Sequence, residues 1–440
     1  MYLHGTSKIN EQGHLEIGGC DTVELANKFG TPLFVYDEVL IRQKCRDFMH
    51  AFKDTGLSFQ VAYASKAFMS MAMCRLVAEE GLSLDVVSGG ELYTALKADF
   101  PADRIHFHGN NKTPDEIEMA LDAEIGCFVV DNFYELELLH ALAKDRKKKV
   151  NILLRLTPGV SAHTHEYIST GQDDSKFGFS VTKGQALEGM KQALTMEYFN
   201  VLGIHSHIGS QIFETNGFVA AVAKLSEFLF DLRQQTGYEL KVLNLGGGFG
   251  IRYTNEDTPL KAGEYIQSIT NEVRKQFQEA HYTLPEIWIE PGRSIVGDAG
   301  TTLYKTGSVK TIPGIRKYIS VDGGMTDNIR PALYQSRYEA MLANRAGEAA
   351  DDLVSVAGKC CESGDMLIWD INLPTVNSGD ILAVSCTGAY GYAMANNYNR
   401  ITRPAVVFVK DGNAEIVVER ETYDDIVKKD RIPASMMITK

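Results

Sequence analysis

Four groups of residues along the chain have types and spacing that could do chemistry. Lys66, in the stretch Tyr-Ala-Ser-Lys-Ala, could offer an amine that forms a Schiff base with a carbonyl, although a lone lysine can equally be a surface or phosphate-binding cation. The run Leu-Gly-Gly-Gly-Phe-Gly at 245–250 would let backbone N–H groups come close to an anion; its plainer reading is a tight turn. His205 and His207 lie two apart, and a flat imidazole there could stack on a planar ring. A metal pair is the competing reading, but the same His-x-His spacing recurs at His106 and His108 without an obvious third or fourth ligand, so no metal is expected. Glu290 and Arg293, in Ile-Glu-Pro-Gly-Arg-Ser, place an acid beside a guanidinium. The acid could keep a heteroaromatic nitrogen protonated and the guanidinium could grip a carboxylate, unless the two form only an exposed ion pair.

The elements that must position these groups follow from hydrophobic periodicity. Eight short apolar runs, at 58–66, 82–88, 105–109, 127–131, 150–156, 201–207, 242–248 and 286–292, alternate with amphipathic stretches. Met69, Met73, Leu76, Val77 and Glu80 keep helical spacing after the first run, and Phe218, Val222, Leu225, Leu229 and Leu232 do so after the sixth. Eight βα units predict an α/β fold with a closed (β/α)8, TIM-like barrel; an open doubly wound sheet would more often carry a G-x-G-x-x-G turn after its first strand. Chemistry on a barrel sits at the C-terminal ends of its strands, which nominates Lys66, Ser88, Gly109, Asp131, Arg155, His207, Gly246 to Gly250 and Glu290. Lysine, anion-binding turn, stacking ring and acid at one mouth describe a pyridoxal 5'-phosphate site. The polar, glycine-containing interval 164–180 is expected to be an active-site loop. Beyond residue 298 the texture is β-rich, and Ala405 to Arg420 reads as a hairpin around Asp-Gly-Asn. The expected division is a barrel over 36–298 and a second, all-β domain over 299–440 completed by residues 1–35.

Composition limits the partners. With 440 residues, 44% of them hydrophobic, the chain can bury two cores, and a net charge of −13 disfavours nucleic acid and anionic lipid. No apolar run reaches membrane-helix length, and the opening Met-Tyr-Leu-His-Gly-Thr-Ser lacks the apolar stretch of a secretory signal, so a cytoplasmic location is expected. Seven cysteines without a C-x-x-C motif predict reduced thiols, five of them buried and inert.

The motifs YASKA, DVVSGGEL (85–92), DSKFGF, HSHIGSQ (205–211), LGGGFG, EPGRS, DNIRPALY (327–334), CCESGD (360–365) and TGAYGYAMANNYN (387–399) stand in one order across nearly the whole chain. In these motifs the chain resembles the fold-type III pyridoxal-phosphate decarboxylases. The resemblance implies that Lys66 carries the cofactor, that His207 stacks on its ring, and that Ser210 with Gly246, Gly247 and Gly248 holds its phosphate. It pairs Glu290 with the ring nitrogen and places Gly292, Arg293 and Tyr390 at the cofactor. Arg293, Arg330, Tyr334, Glu362 and Tyr390 correspond to substrate-binding groups, and Cys361 to a proton donor. Cys361 and Glu362 reach the site from a partner subunit in the family, which implies a homodimer with composite sites. The implied substrate is meso-2,6-diaminopimelate, decarboxylated at its D-centre to L-lysine, with Arg330 and Glu362 for the distal carboxylate and ammonium. Competing readings are a decarboxylase of ornithine, arginine or carboxynorspermidine, a racemase, a cofactor-free Schiff-base aldolase and a pyridoxal-phosphate carrier; Glu290 argues against the racemase, which would place an arginine at the ring nitrogen.

Overall fold

The computed structural model describes residues 1–160 and 174–437. Its described residues form two compact units, 40–298 and 1–39 with 299–440. In the first unit eight parallel strands pair in sequence order: β1 (Phe59–Ala64), β2 (Ser83–Val86), β3 (Ile105–Phe107), β4 (Cys127–Val130), β5 (Val150–Thr157), β6 (Phe199–His205), β7 (Val242–Asn244) and β8 (Glu286–Ile289). Pairing of β8 with β1, Ile287 opposite Phe59, closes the ring. These strands carry β-branched and aromatic residues and are almost wholly buried, as a parallel barrel filled from inside and covered by helices requires.

Local chemistry starts the helices on cue. Ser70, Ser88, Thr113 and Asn132, each following a barrel strand, accept a backbone N–H from the third residue onward, and Thr113 forms a reciprocal capping box with Glu116. Ser88, a strand-end candidate for chemistry, is thus occupied as a helix cap. Of the loop expected over 164–180, residues 164–173 lie outside the described residues, and Phe179–Ser180 adds a short strand beside β5.

The second unit is β-rich. Its strand Leu33–Asp37 lies between Gly300–Ile312, antiparallel, and Ala405–Lys410, parallel. Those pairings tie Leu33–Asp37 into this unit, which takes in residues 1–39 where the sequence reading ended its N-terminal segment at 35. The hairpin of Ala405–Lys410 and Asn413–Val418 turns on Asp411 and Gly412, both with positive φ, the conformation an Asp-Gly turn favours. Among the described residues no helix is long and apolar enough to cross a membrane.

One buried acid gives this unit a pH signature. Asp327, 1% exposed, accepts hydrogen bonds from the Gly324 N–H and the Thr326 hydroxyl, and burial pushes its carboxyl up to about 6. The folded state therefore keeps a proton that the unfolded chain releases near pH 4, so this residue's contribution favours folding at low pH and declines as pH rises to about 6, by about 3 kcal/mol at most. Replacing it by asparagine is expected to remove that slope. Denaturant titrations of both proteins between about pH 4 and 7 should diverge in slope; parallel profiles would contradict the assignment.

Candidate active site

Strand β1 delivers Lys66. The strand runs into a single 3-10 turn, Ser65–Ala67, whose lysine is exposed while Ser65 and Ala67 are buried. The segment after β8 packs against this turn: the Ala64 N–H donates to the Pro291 carbonyl at 3.2 Å, and a Cβ on Gly292 would stand 3.0 Å from that of Ala64. Lysine and acid motifs, more than 200 residues apart in sequence, are therefore neighbours because the barrel closes.

The glycine run follows β7. Gly246 has φ +67°, and a Cβ there would lie 2.6 Å from the Ser206 carbonyl oxygen; at Gly247 it would lie 2.1 Å from the Glu290 carbonyl oxygen. No side chain fits without moving backbone, so the three strand ends β6, β7 and β8 meet at this turn. The Gly247 N–H donates to His207 Nδ1 at 3.2 Å. His207 consequently carries its proton on Nε2, and burial, with Lys66 and Arg155 adding to it, holds the imidazole well below its usual range. Beside the turn, Arg293 Nη2 and Nε donate to Ser210 Oγ at 2.9 and 3.2 Å, and Nη1 donates to the Tyr253 hydroxyl. A buried guanidinium, a hydroxyl and a glycine turn make an anion site.

Glu290 is the best-connected group. It is 8% exposed; Asn244 Nδ2 donates to its Oε1 at 2.6 Å and His205 Nε2 donates to its Oε2 at 3.1 Å, while His108 Nε2 lies 3.3 Å from Oε1. Asn244 also accepts the Gly246 N–H through Oδ1 at 2.9 Å, linking the acid to the glycine turn. Burial would push the Glu290 carboxyl up, but His108 and His205 hold it well below the usual carboxylate range. His205, lowered to about 4 by burial, is a neutral donor. His106, by contrast, stacks on Trp288 at 4.4 Å as part of the core. Donor atoms of His108, His205 and Glu290 lie within 4.8 Å of one another, a spacing open to a metal ion. The hydrogen bond and charge contacts just described account for the same spacing.

Two further strand-end candidates stabilise the mouth. Asp131 accepts the Gly178 N–H at 3.1 Å and sits 3.9 Å from Arg155, whose guanidinium covers the Phe177 ring at 4.1 Å. Gly109 is a positive-φ turn residue, and Gly248 and Gly250 pack against Gly209 and Phe213.

In the β-rich unit, Arg330, Tyr334 and Tyr390 come together. Arg330 is 7% exposed, donates to the Tyr338 hydroxyl at 2.7 Å, and has the rings of Tyr334, Tyr338 and Tyr390 at 5.9, 5.9 and 6.0 Å. Cys361 and Glu362 occupy another turn and are both exposed. Their described contacts are the Cys361 N–H to Asn399 Oδ1 at 2.8 Å and bonds within that turn. Cys20, Cys45, Cys74, Cys127 and Cys386 are buried free thiols.

Asp85, His108, Asn244, Tyr253 and Tyr338 carry no assigned role in the sequence reading, although Asp85 opens the motif DVVSGGEL and His108 belongs to the second His-x-His pair. Asp85, His108 and Asn244 stand in or beside the apolar runs, whereas Tyr253 and Tyr338 gain meaning from their spatial neighbours alone. Within the barrel unit, the donor set fits pyridoxal phosphate: an exposed amine, a neutral imidazole, an anion cradle and a buried carboxylate with charge to spare.

Comparison with known proteins gives the same direction. Residues 38–297 match the family model described as pyridoxal-dependent decarboxylase, pyridoxal binding domain. The chain is 63% identical over 430 residues to the diaminopimelate decarboxylase of Bacillus subtilis, covering 98% of each, and 49% identical over 428 residues to that of Staphylococcus aureus, covering 97% of this chain and 99% of the relative. The crystal structure of a diaminopimelate decarboxylase from M. jannaschii in complex with L-lysine superposes with a TM-score of 0.93 at 39% identity, covering 98% of this chain and 99% of that one.

Proposed function

The chain belongs to the pyridoxal-dependent decarboxylases, and from that premise we propose that it removes the carboxylate at the D-centre of meso-2,6-diaminopimelate, releasing carbon dioxide and L-lysine, the last step of lysine formation. The observation that carries the reading is Glu290, a buried carboxylate kept ionised just past the end of β8, beside the turn that presents Lys66. Its cofactor is pyridoxal 5'-phosphate. When bound, that group supplies a conjugated cationic ring able to withdraw the electron pair left by departing carbon dioxide.

The chain's own residues do the rest. Lys66 offers the amine that anchors the cofactor's carbonyl carbon, and Gly246, Gly247, Gly248, Ser210, Gly292 and Arg293 hold its phosphate. Arg293 is already aimed at Ser210, which supports the cofactor role; its expected role toward substrate rests on family likeness. His207, neutral and pinned through Nδ1 by Gly247, offers its ring face. Glu290 accepts the ring N–H. Arg330, Tyr334, Tyr390 and Glu362 are the substrate-binding groups, and Cys361 gives the substrate carbon its proton. Arginine at the distal position suits a substrate ending in a carboxylate and would repel one ending only in an ammonium, as ornithine does. We also assign the protein to the cytoplasm, as a homodimer in which each subunit lends Cys361 and Glu362 to its partner.

Two measurements follow. Purified protein loaded with cofactor should form L-lysine and carbon dioxide in equal amounts from meso-diaminopimelate and leave L-ornithine, L-arginine and carboxynorspermidine unchanged. Turnover of another member of that panel would overturn the distal assignment, and no turnover at all would overturn the function. Secondly, Gly247→Ala drives a Cβ into the Glu290 carbonyl. Overpacking of that kind costs about 1–3 kcal/mol, so cofactor affinity should fall roughly tenfold to a hundredfold in a fluorescence titration. Unaltered affinity would mean that the turn does not hold the phosphate.

A further inference from the structure

The reaction as described leaves one buried charge constellation unused, behind Glu290. His108, 6% exposed and just beyond β3, has its Nε2 3.3 Å from Glu290 Oε1 and 3.4 Å from Asp85 Oδ1. It lies between the two carboxylates at ion-pair distance, without an aligned hydrogen bond to either. Asp85, on β2, is 5% exposed. The His205 ring stands edge-on to His108 at 5.0 Å and bonds the other Glu290 oxygen. Among the described residues the titratable, charged and hydrogen-bonding groups around this pair are His108 just past β3, His205 on β6 and His207 just past it, Asn244 on β7, Arg155 on β5 as a more distant cation, the buried Cys127 on β4, and His106 on β3, whose Nδ1 lies 3.6 Å from Asp85.

We propose that His108, backed by Asp85, is a positioning residue for the decarboxylation, holding Glu290 as a correctly oriented, charged acceptor for the cofactor's ring nitrogen. The inference rests on the cofactor reading above. Its physical basis is the asymmetry of the pocket. Asn244 and His205 supply neutral N–H donors, which orient the carboxylate but bring no net charge. Burying an anion beside such donors alone is costly, and a carboxyl in that position would take up a proton. His108 is the group that can bring a formal positive charge into contact. Although burial pushes its imidazole down, Glu290 and Asp85 outweigh that and leave it raised. Asp85 therefore serves at one remove: it keeps His108 charged, and His108 keeps Glu290 charged. The order carboxylate, imidazolium, carboxylate leaves the inner acid ionised and pointing at the ring.

The test compares wild-type holoenzyme with His108→Phe, His108→Gln and Asp85→Asn, reading lysine formation, cofactor content, thermal midpoint and the pH titration of the bound cofactor's absorbance. His108→Phe removes both the charge and the N–H. It should lower kcat about tenfold to a hundredfold with KM within about twofold, the scale of outer-layer partners of a catalytic group. Because Glu290 then protonates more readily, the acid limb of the absorbance titration should move to higher pH by about one unit. His108→Gln returns an N–H without charge and should recover part of the rate while leaving the limb displaced. Asp85→Asn should move the limb in the same direction by less. The proposal is overturned if His108→Phe retains wild-type kcat and titration, or if its lost rate is matched by lost cofactor content and thermal stability with the limb unmoved. If wild-type protein forms no lysine while the limb still moves as stated, the substrate assignment fails and the role of His108 stands.

Discussion

Lys66→Ala is expected to reduce lysine formation by on the order of 10⁴-fold while the protein keeps its fold and its affinity for phosphate-bearing ligands. Lys66 is exposed on a turn whose flanking residues Ser65 and Ala67 are buried, so truncating it removes an amine and little packing. The thermal midpoint without cofactor should accordingly stay within a few degrees of wild type. In the proposed site phosphate affinity would depend on the glycine turn, Ser210 and Arg293, which sit at the ends of other strands and do not need the lysine. The variant should thus hold the cofactor without a covalent attachment, and its absorbance should resemble that of free cofactor. Turnover within tenfold of wild type would show that another amine carries the chemistry. Lys112 would be a poor substitute, since it is 3% exposed and committed to Glu135 at 2.7 Å.

Glu290→Gln is expected to lower kcat by about 10²–10³-fold, the scale found when one preorganised electrostatic partner of a developing charge is lost. The substitution keeps the volume and an oxygen able to accept from Asn244, so packing around β8 should survive. What goes is the negative charge. On the proposed reading an amide opposite the ring nitrogen would no longer favour the protonated ring, and the withdrawal of electrons on which decarboxylation depends would be weakened. Cofactor affinity should change far less than kcat, because the proposed phosphate-binding groups are left intact. Equal losses of affinity and kcat would instead mark Glu290 as a structural residue. Glu290→Ala should be worse for folding, since it leaves Asn244 and His205 with buried, unmatched donors in a closed pocket.

Much of this arrangement is legible in the sequence. The eight barrel strands announce themselves because a parallel strand covered on both faces is a short apolar run, and the Asp-Gly turn marks its hairpin for an equally local reason. Site residues at strand ends could be listed because barrel geometry fixes which end is functional. The support of the acid could not. Asp85 and His108 acquire meaning only from the neighbouring registers, Asp85 opposite His106 on β3, and from the return of β8 to close the ring beside β1. In sequence, His205 reads as one of a His-x-His pair and Asn244 as a strand residue; in space both give a hydrogen to one carboxylate. Arg293 is read from the sequence as an anion-binding group, but its partners are not, because Ser210 and Tyr253 lie 83 and 40 positions away. Long-range pairing, rather than local propensity, decides each of these.

The most direct test of the whole account reduces the cofactor-loaded enzyme with borohydride, digests it and maps the modified peptide, while lysine formation from meso-diaminopimelate is followed in the same samples. One modified residue is expected, Lys66, with loss of lysine formation in proportion to its modification. Modification at a different lysine, or lysine formation that persists with Lys66 fully reduced, would contradict it.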